Sequence, residues 1–243
     1  MQVTPLTVAH LRRALIDGWA MARLTRSIST GFSGIFVLFG VIILGGLLAQ
    51  GLTPFVVAAA GAFMLVGPVI LAGFFGIARA CEAGEPLGPA CIVAGFTGAA
   101  RALWALALVC ALLFMIFVTD AAILYSYMVG GTPIFPGISL SSIPGVTNFL
   151  LAGMVSGFAL ALILFCVSAF SVPLLCERRA GLVDAVVCSV RVVFGSFIPL
   201  MLWAALLGVL IIGSILVLPL LLLTLPWLAY ASRALYRRAL PVA

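Results

Sequence analysis

Long apolar runs, bounded by arginine, glycine or proline, organise this chain. Such runs occupy residues 31–50, 54–78, 102–128 and 149–175, and each can cross a hydrocarbon core of roughly 30 Å as an α-helix. A further apolar stretch, 192–232, would make a helix of about 60 Å if continuous, twice what a bilayer needs. It is therefore expected to fold back on itself. Gly213 and Ser214 stand at its middle and place the turn between helices at 193–212 and 215–234. The pattern predicts six spans.

Residues 1–30 read differently. They carry Arg12, Arg13, Asp17, Arg23 and Arg26 without a continuous apolar segment, which is not the pattern of a cleavable signal. Leu11, Leu15, Gly18, Trp19 and Ala22 recur at helical spacing, and Thr4 followed by Pro5 offers an N-cap with proline at the first helical position. A surface helix with its apolar face among the lipid headgroups is expected. The segments LRRALIDGWAMAR, GPACIVAGFTGAAR and LVDAVVCSVRVVF resemble one another at low identity, and each precedes a pair of spans. The expected fold class is an all-α membrane protein with one transmembrane domain, residues 1–243. Its six transmembrane helices form three hairpins, each preceded by a cytoplasmic membrane-surface helix.

Charge fixes the orientation. All twelve basic residues are arginine, and with six acids the net charge is +6. The arginines lie before residue 31, within 79–101 and 176–192, and after residue 232, and the opposite loops hold none. Six crossings put every arginine on one side, so the positive-inside rule predicts cytoplasmic N and C termini in a bacterial inner membrane. The basic excess then serves orientation and an acidic leaflet, and nucleic acid is not the expected partner. Composition agrees, with 65% hydrophobic and 7% charged residues and a mean hydropathy of +1.40, against roughly 25% charged in soluble domains. A soluble enzyme is excluded. The outer loop, residues 130–148, is neutral and rich in proline and glycine, a stiff cap.

Few residues could carry chemistry. Asp120 is the one acid inside an expected span, with Thr119, Tyr125, Ser126 and Tyr127 nearby. An intramembrane carboxylate is a functional candidate and should face the bundle or a wet cavity, because its insertion costs roughly 2.5–3.5 kcal/mol. The bland alternative is a carboxyl near the interface satisfied by hydroxyls or water. His10 is the sole histidine, which excludes haem and metal sites that need two imidazoles. The six cysteines form no C-x-x-C pair and are expected as reduced thiols. Cys81, Cys91, Cys176 and Cys188 share the cytoplasmic side, but their spacing matches no compact zinc pattern. No H-E-x-x-H, G-x-S-x-G or phosphate-loop motif occurs, nor any lysine, so no catalysis, cofactor or metal is expected. Gly153 and Gly157 form a G-x-x-x-G pair suited to close helix packing. The mixed charges of residues 176–191 can satisfy one another on a membrane-resting face or dock a partner.

One segment is more specific. Residues 67–86, GPVILAGFFGIARACEAGEP, hold Gly67, Pro68, Gly73, Arg79, Glu82, Gly84, Glu85 and Pro86 in the order G-P-x(4)-G-x(5)-R-x-x-E-x-G-E-P. This resembles the signature of a bacterial family of predicted integral membrane proteins, domain of unknown function 2189. SVPLLCERR, Ser189, Trp203 and the closing LPWLAYASRALYR are similar to that family's second half. The chain departs from it where the family often carries a tail with two histidines. Here Ala229, Tyr230, Ala231, Ser232, Arg233 and Ala234 stand, followed by the retained Tyr236 and Arg237. The family has no agreed activity, and some members are labelled oxidase subunits. One histidine cannot ligate two haems and a copper, so the resemblance implies at most an accessory subunit.

In physical terms Gly67, Pro68 and Gly73 narrow and bend the second span. Arg79, Glu82 and Glu85 follow at i, i+3 and i+6, with Arg79 and Glu82 placed to pair. The leading expectation is a non-catalytic accessory or scaffold subunit of a larger, respiratory-type membrane complex, with the lipid bilayer and another membrane protein or a second copy as partners. The alternative is a small oligomeric transporter or channel with Asp120 as the coupling carboxylate.

Overall fold

The structure, a computed structural model, describes residues 4–52, 55–56, 67–99, 101–130 and 145–241, without the side chains of residues 68, 69 and 216. Among these residues the chain is helical and has no β-strand. The helices are α1 (Val8–Leu24), α2 (Arg26–Ala49), α3 (Gly67–Glu82), α4 (Pro89–Gly98), α5 (Arg101–Val129), α6 (Val146–Ser168), α7 (Ser171–Cys176), α8 (Leu182–Gly195), α9 (Phe197–Leu216) and α10 (Leu221–Ala239). Five described segments are long and apolar enough to cross a membrane: Arg26–Ala49, Arg101–Val129, Val146–Cys176, Phe197–Ile215 and Leu218–Ala239. The sixth expected span, 54–78, includes residues 57–66, outside the described residues, and α3 forms its described end. Most of the 130–148 loop also lies outside them.

Several boundaries differ from the expectation. The expected span at 193–212 begins instead at Phe197, because α8 runs through Val193 and Ser196 separates it from α9. The turn after it is at Val217 rather than at Gly213 and Ser214, which lie inside α9. A serine is tolerated there because its Oγ donates to the Leu210 carbonyl and accepts from Thr224 Oγ1 at 2.8 Å. Pro219, with no N–H to offer, enforces the break as a single 3₁₀ turn, Leu218–Leu220. Helix α1 starts at Val8 instead of Pro5. Thr7 takes the N-cap place, and its N–H donates to His10 Nδ1 at 3.2 Å, which satisfies one of the donors a helix start leaves open.

The apolar face of α1 was expected among headgroups, but it packs on α10. Leu11, Ala14 and Gly18 are buried, and a Cβ at Gly18 would stand 2.5 Å from the Ala231 backbone nitrogen. Burying these small residues between two backbones gives van der Waals contact that a headgroup layer cannot match. Trp227 Nε1 donates to the Leu15 carbonyl at 2.8 Å, and its ring meets Trp19 edge-on at 5.5 Å.

The other two related segments form helices that pack in the same manner, α4 on α3 and α8 on α6 and α7. Each presents small side chains four residues apart: Ala14 and Gly18, Cys91 and Gly95, Ala185 and Ser189. A Cβ at Gly95 would lie 2.3 Å from the Ala72 carbonyl oxygen. Ser189 Oγ donates to the Cys166 carbonyl at 2.8 Å and accepts from the Phe170 N–H at 3.1 Å. Helices α4 and α8 thus seat on helices that precede them in the chain, whereas α1 seats on α10.

Candidate functional site

Two helices end in the same way. At the end of α3, Gly84 adopts φ +71° while its N–H donates to Cys81 and that of Glu85 to Ala80. At the end of α7, Arg178 adopts φ +52°, donating to Leu175, and the N–H of Arg179 donates to Leu174. Both are left-handed C-caps that satisfy the last carbonyls. Each leaves a glutamate at the helix end, Glu82 as the last residue of α3 and Glu177 just past α7. Into the space between them α10 brings Arg233 and Arg237, one turn apart on one face.

Glu82 receives both arginines as forks. Arg233 Nη1 and Nη2 donate to its Oε1 and Oε2 at 2.7 and 3.0 Å, and Arg237 does the same at 2.9 and 3.1 Å. The two Nε atoms lie 3.9 and 3.8 Å from Glu177 Oε1. Tyr236 donates to Glu177 Oε2 at 3.0 Å and accepts from Arg179 Nη1 at 2.9 Å. Arg179 also donates to the carbonyls of Leu240 and Pro241. Burial pushes the Glu82 carboxyl up, but the hydrogen bonds and charges of Arg233 and Arg237 outweigh it and hold it below the ordinary 4.5. Beside this cluster a cleft of roughly 490 Å³ is lined by Arg79, Glu177, Arg233, Arg237 and Pro241. Asp17 of α1 pairs with Arg238 on the neighbouring face of α10.

The structure therefore brings together Arg79, Glu82, Tyr236 and Arg237 from the sequence candidates. It corrects the pairing expected among them, because Glu82 turns away from Arg79 to two arginines of α10 that offer it four charge-assisted hydrogen bonds. Arg79 is half-buried, its guanidinium lying 3.3 Å from where a Cβ at Gly98 would stand. Glu85 is exposed and acts through its backbone in the cap of α3. Gly73 gives Phe32 of α2 its close approach, since a Cβ there would meet the ring at 2.6 Å, whereas Gly67 meets nothing and the Pro68 side chain is outside the described residues. The charges of residues 176–191 do not neutralise one another: Glu177 and Arg179 reach across to α10.

Asp120 is not part of this site. It sits exposed on α5 with no hydrogen-bond or ion-pair partner among the described residues, which corrects the expectation that it faces the bundle. Neighbouring Thr119 donates to its own helix at the Met115 carbonyl. Gly157 packs on Phe117, while Gly153 faces open space. All six cysteines are free thiols, and no three metal-ligating side chains converge among the described residues.

Arg233 is not among the sequence candidates, and Glu177 and Arg179 enter the sequence reading only as members of the 176–191 charged segment. A signal existed in Arg233 and Arg237, two of the three arginines that close an apolar helix, four residues apart on one face, a placement that requires counter-charges nearby.

No curated protein and no solved structure matches this chain. A family profile does, over residues 55–177, a stretch that takes in the signature at 67–86 and stops short of the C-terminal segments. The chain belongs to that family, the predicted integral membrane proteins of domain of unknown function 2189.

Proposed function

We propose that this protein is a non-catalytic scaffold of the bacterial inner membrane and an accessory subunit of a larger membrane complex. In this reading it has six spans in three hairpins, with the termini, the short helices α1, α4 and α8, and the charged cluster on the cytoplasmic side. The observation that carries it is how the cluster uses its charges. Glu82 and Glu177 bind arginines more than 50 residues away along the chain and hold three helix ends in place, an arrangement suited to fixing a shape rather than to a reacting atom. Arginines gathered toward one side support the orientation. Exposed apolar side chains such as Phe39, Ile42, Ile116, Phe158 and Ile198 offer surface for lipid and for a membrane partner or second copy. The transporter alternative draws no support from Asp120, which faces out of the bundle.

Extraction from native membranes in a mild amphiphile, affinity isolation and mass spectrometry test this reading. An integral membrane partner in stoichiometric amount is expected, and isolation as a monomer with no companion overturns it. A fluorescent reporter fused after the last residue should mature, and an active alkaline phosphatase fused there overturns the orientation.

A further inference from the structure

We propose that the cleft between the ends of α3, α7 and α10 binds a phosphate group, presented either by an anionic lipid headgroup or by a soluble phosphate. This does not depend on the scaffold reading. Four guanidiniums, Arg79, Arg179, Arg233 and Arg237, gather around two carboxylates, Glu82 and Glu177, so the cluster carries an excess of two positive charges. Its donors are also unfilled. The Arg233 side chain is 5% exposed, yet its Nε has no hydrogen-bond partner. Glu177 Oε1 is 3.9 Å away, beyond hydrogen-bond length. Arg79, half-buried on the same cleft, has no hydrogen-bond or ion-pair partner among the described residues.

Buried donors without acceptors are costly, and a native structure that keeps them has a reason to do so. An anion with several oxygens supplies that reason. A tetrahedral phosphate seated in the cleft can accept from Arg79 and place its negative charge beside the Arg233 and Arg237 guanidiniums that line it. The cleft, at roughly 490 Å³, has room for the substituent such a phosphate carries. Glu177 lines it too and repels a second acidic group, so a single phosphate is favoured over an extended polyanion. The site lies where apolar helices end in arginine, the level at which lipid headgroups meet a membrane protein.

The test is thermal unfolding of the purified full-length protein in nanodiscs. One arm compares phosphatidylcholine discs with discs containing phosphatidylglycerol, and the other adds inorganic phosphate against chloride at equal ionic strength. At least one arm should raise the unfolding midpoint, by roughly 3 °C or more at saturation. A response to phosphatidylglycerol alone assigns a lipid headgroup, a response to phosphate alone assigns a soluble anion, and a response to both supports the shared chemistry. Arg79→Gln should weaken the response at least about tenfold in apparent affinity, Arg79→Lys should recover part of it, and Arg191→Gln, an exposed arginine outside the cleft, should leave it unchanged. No response beyond chloride and phosphatidylcholine overturns the proposal. So does an equal response in wild type and Arg79→Gln, or an equal loss in Arg191→Gln.

Discussion

Arg233 on α10 is 4% exposed and reaches carboxylates from two other parts of the chain. Asp120 on α5 lies on the outer surface with no partner among the described residues. Both stand on helices apolar enough to cross a membrane, but 56% of the apolar window of α10 is buried against 17% for α5. The difference teaches that the fate of an ionisable group here is set by the helix that carries it. A charge on the central helix must find counter-charges inside the protein, since an unpaired buried ion costs several kcal/mol. A charge on a peripheral helix answers only to what surrounds the molecule. An acid within a span is then no guide to function until its direction is known.

The contrast can be broken most severely by unseating α10. Gly18→Leu drives a side chain into the Ala231 backbone and should cost about 3 kcal/mol or more, seen as loss of monodisperse protein on size exclusion; a normal elution profile with an unshifted melt would show that α10 does not depend on α1. Next in size is Glu82→Gln, which leaves Arg233 buried beside one distant carboxylate. Because Glu82 is itself 36% exposed, about 2–3 kcal/mol is expected, toward the low end for a broken buried pair, read as a lower thermal midpoint in detergent.

Acid should reproduce part of that loss. The folded carboxyl of Glu82 titrates below its ordinary value, so its stabilisation is full above that value and disappears as pH falls through the lower folded one. A melting series from pH 7 downward should therefore stay flat until the acidic carboxylate range and then drop, and the drop attributable to this group should vanish in Glu82→Gln. The smallest effect belongs to Asp120→Asn, expected within about 0.5 kcal/mol. A melt shifted as far as that of Glu82→Gln would erase the distinction between the two groups.

Much of the fold is legible in the sequence alone. All five described spans overlap expected helices, because a bilayer demands length and hydrophobicity and both are written locally. The turn at Val217 was misplaced because glycine and serine weaken a helix in water, whereas inside a helical membrane protein the Ser214 hydroxyl bonds its own helix and Thr224. The site was half visible. Arg79, Glu82, Tyr236 and Arg237 stood out in the signature and tail, but adjacency along a helix suggested Arg79 for Glu82, and partners 151 and 155 residues away leave no periodic trace. The three short helices were recognised as related, yet the use of their small faces was not, since Gly18 and Gly95 reveal their purpose only when another backbone lies against them.

The seating of α1 on α10 reaches into how the molecule is made. Helix α1 leaves the ribosome well before α10, and the backbone N–H of Thr4 bonds the Ala239 carbonyl at 3.0 Å. Helix α1 must therefore wait, unmatched, until α10 has been made. A nascent chain halted before α10 would keep the spans made before it and still lack the surface on which α1 seats.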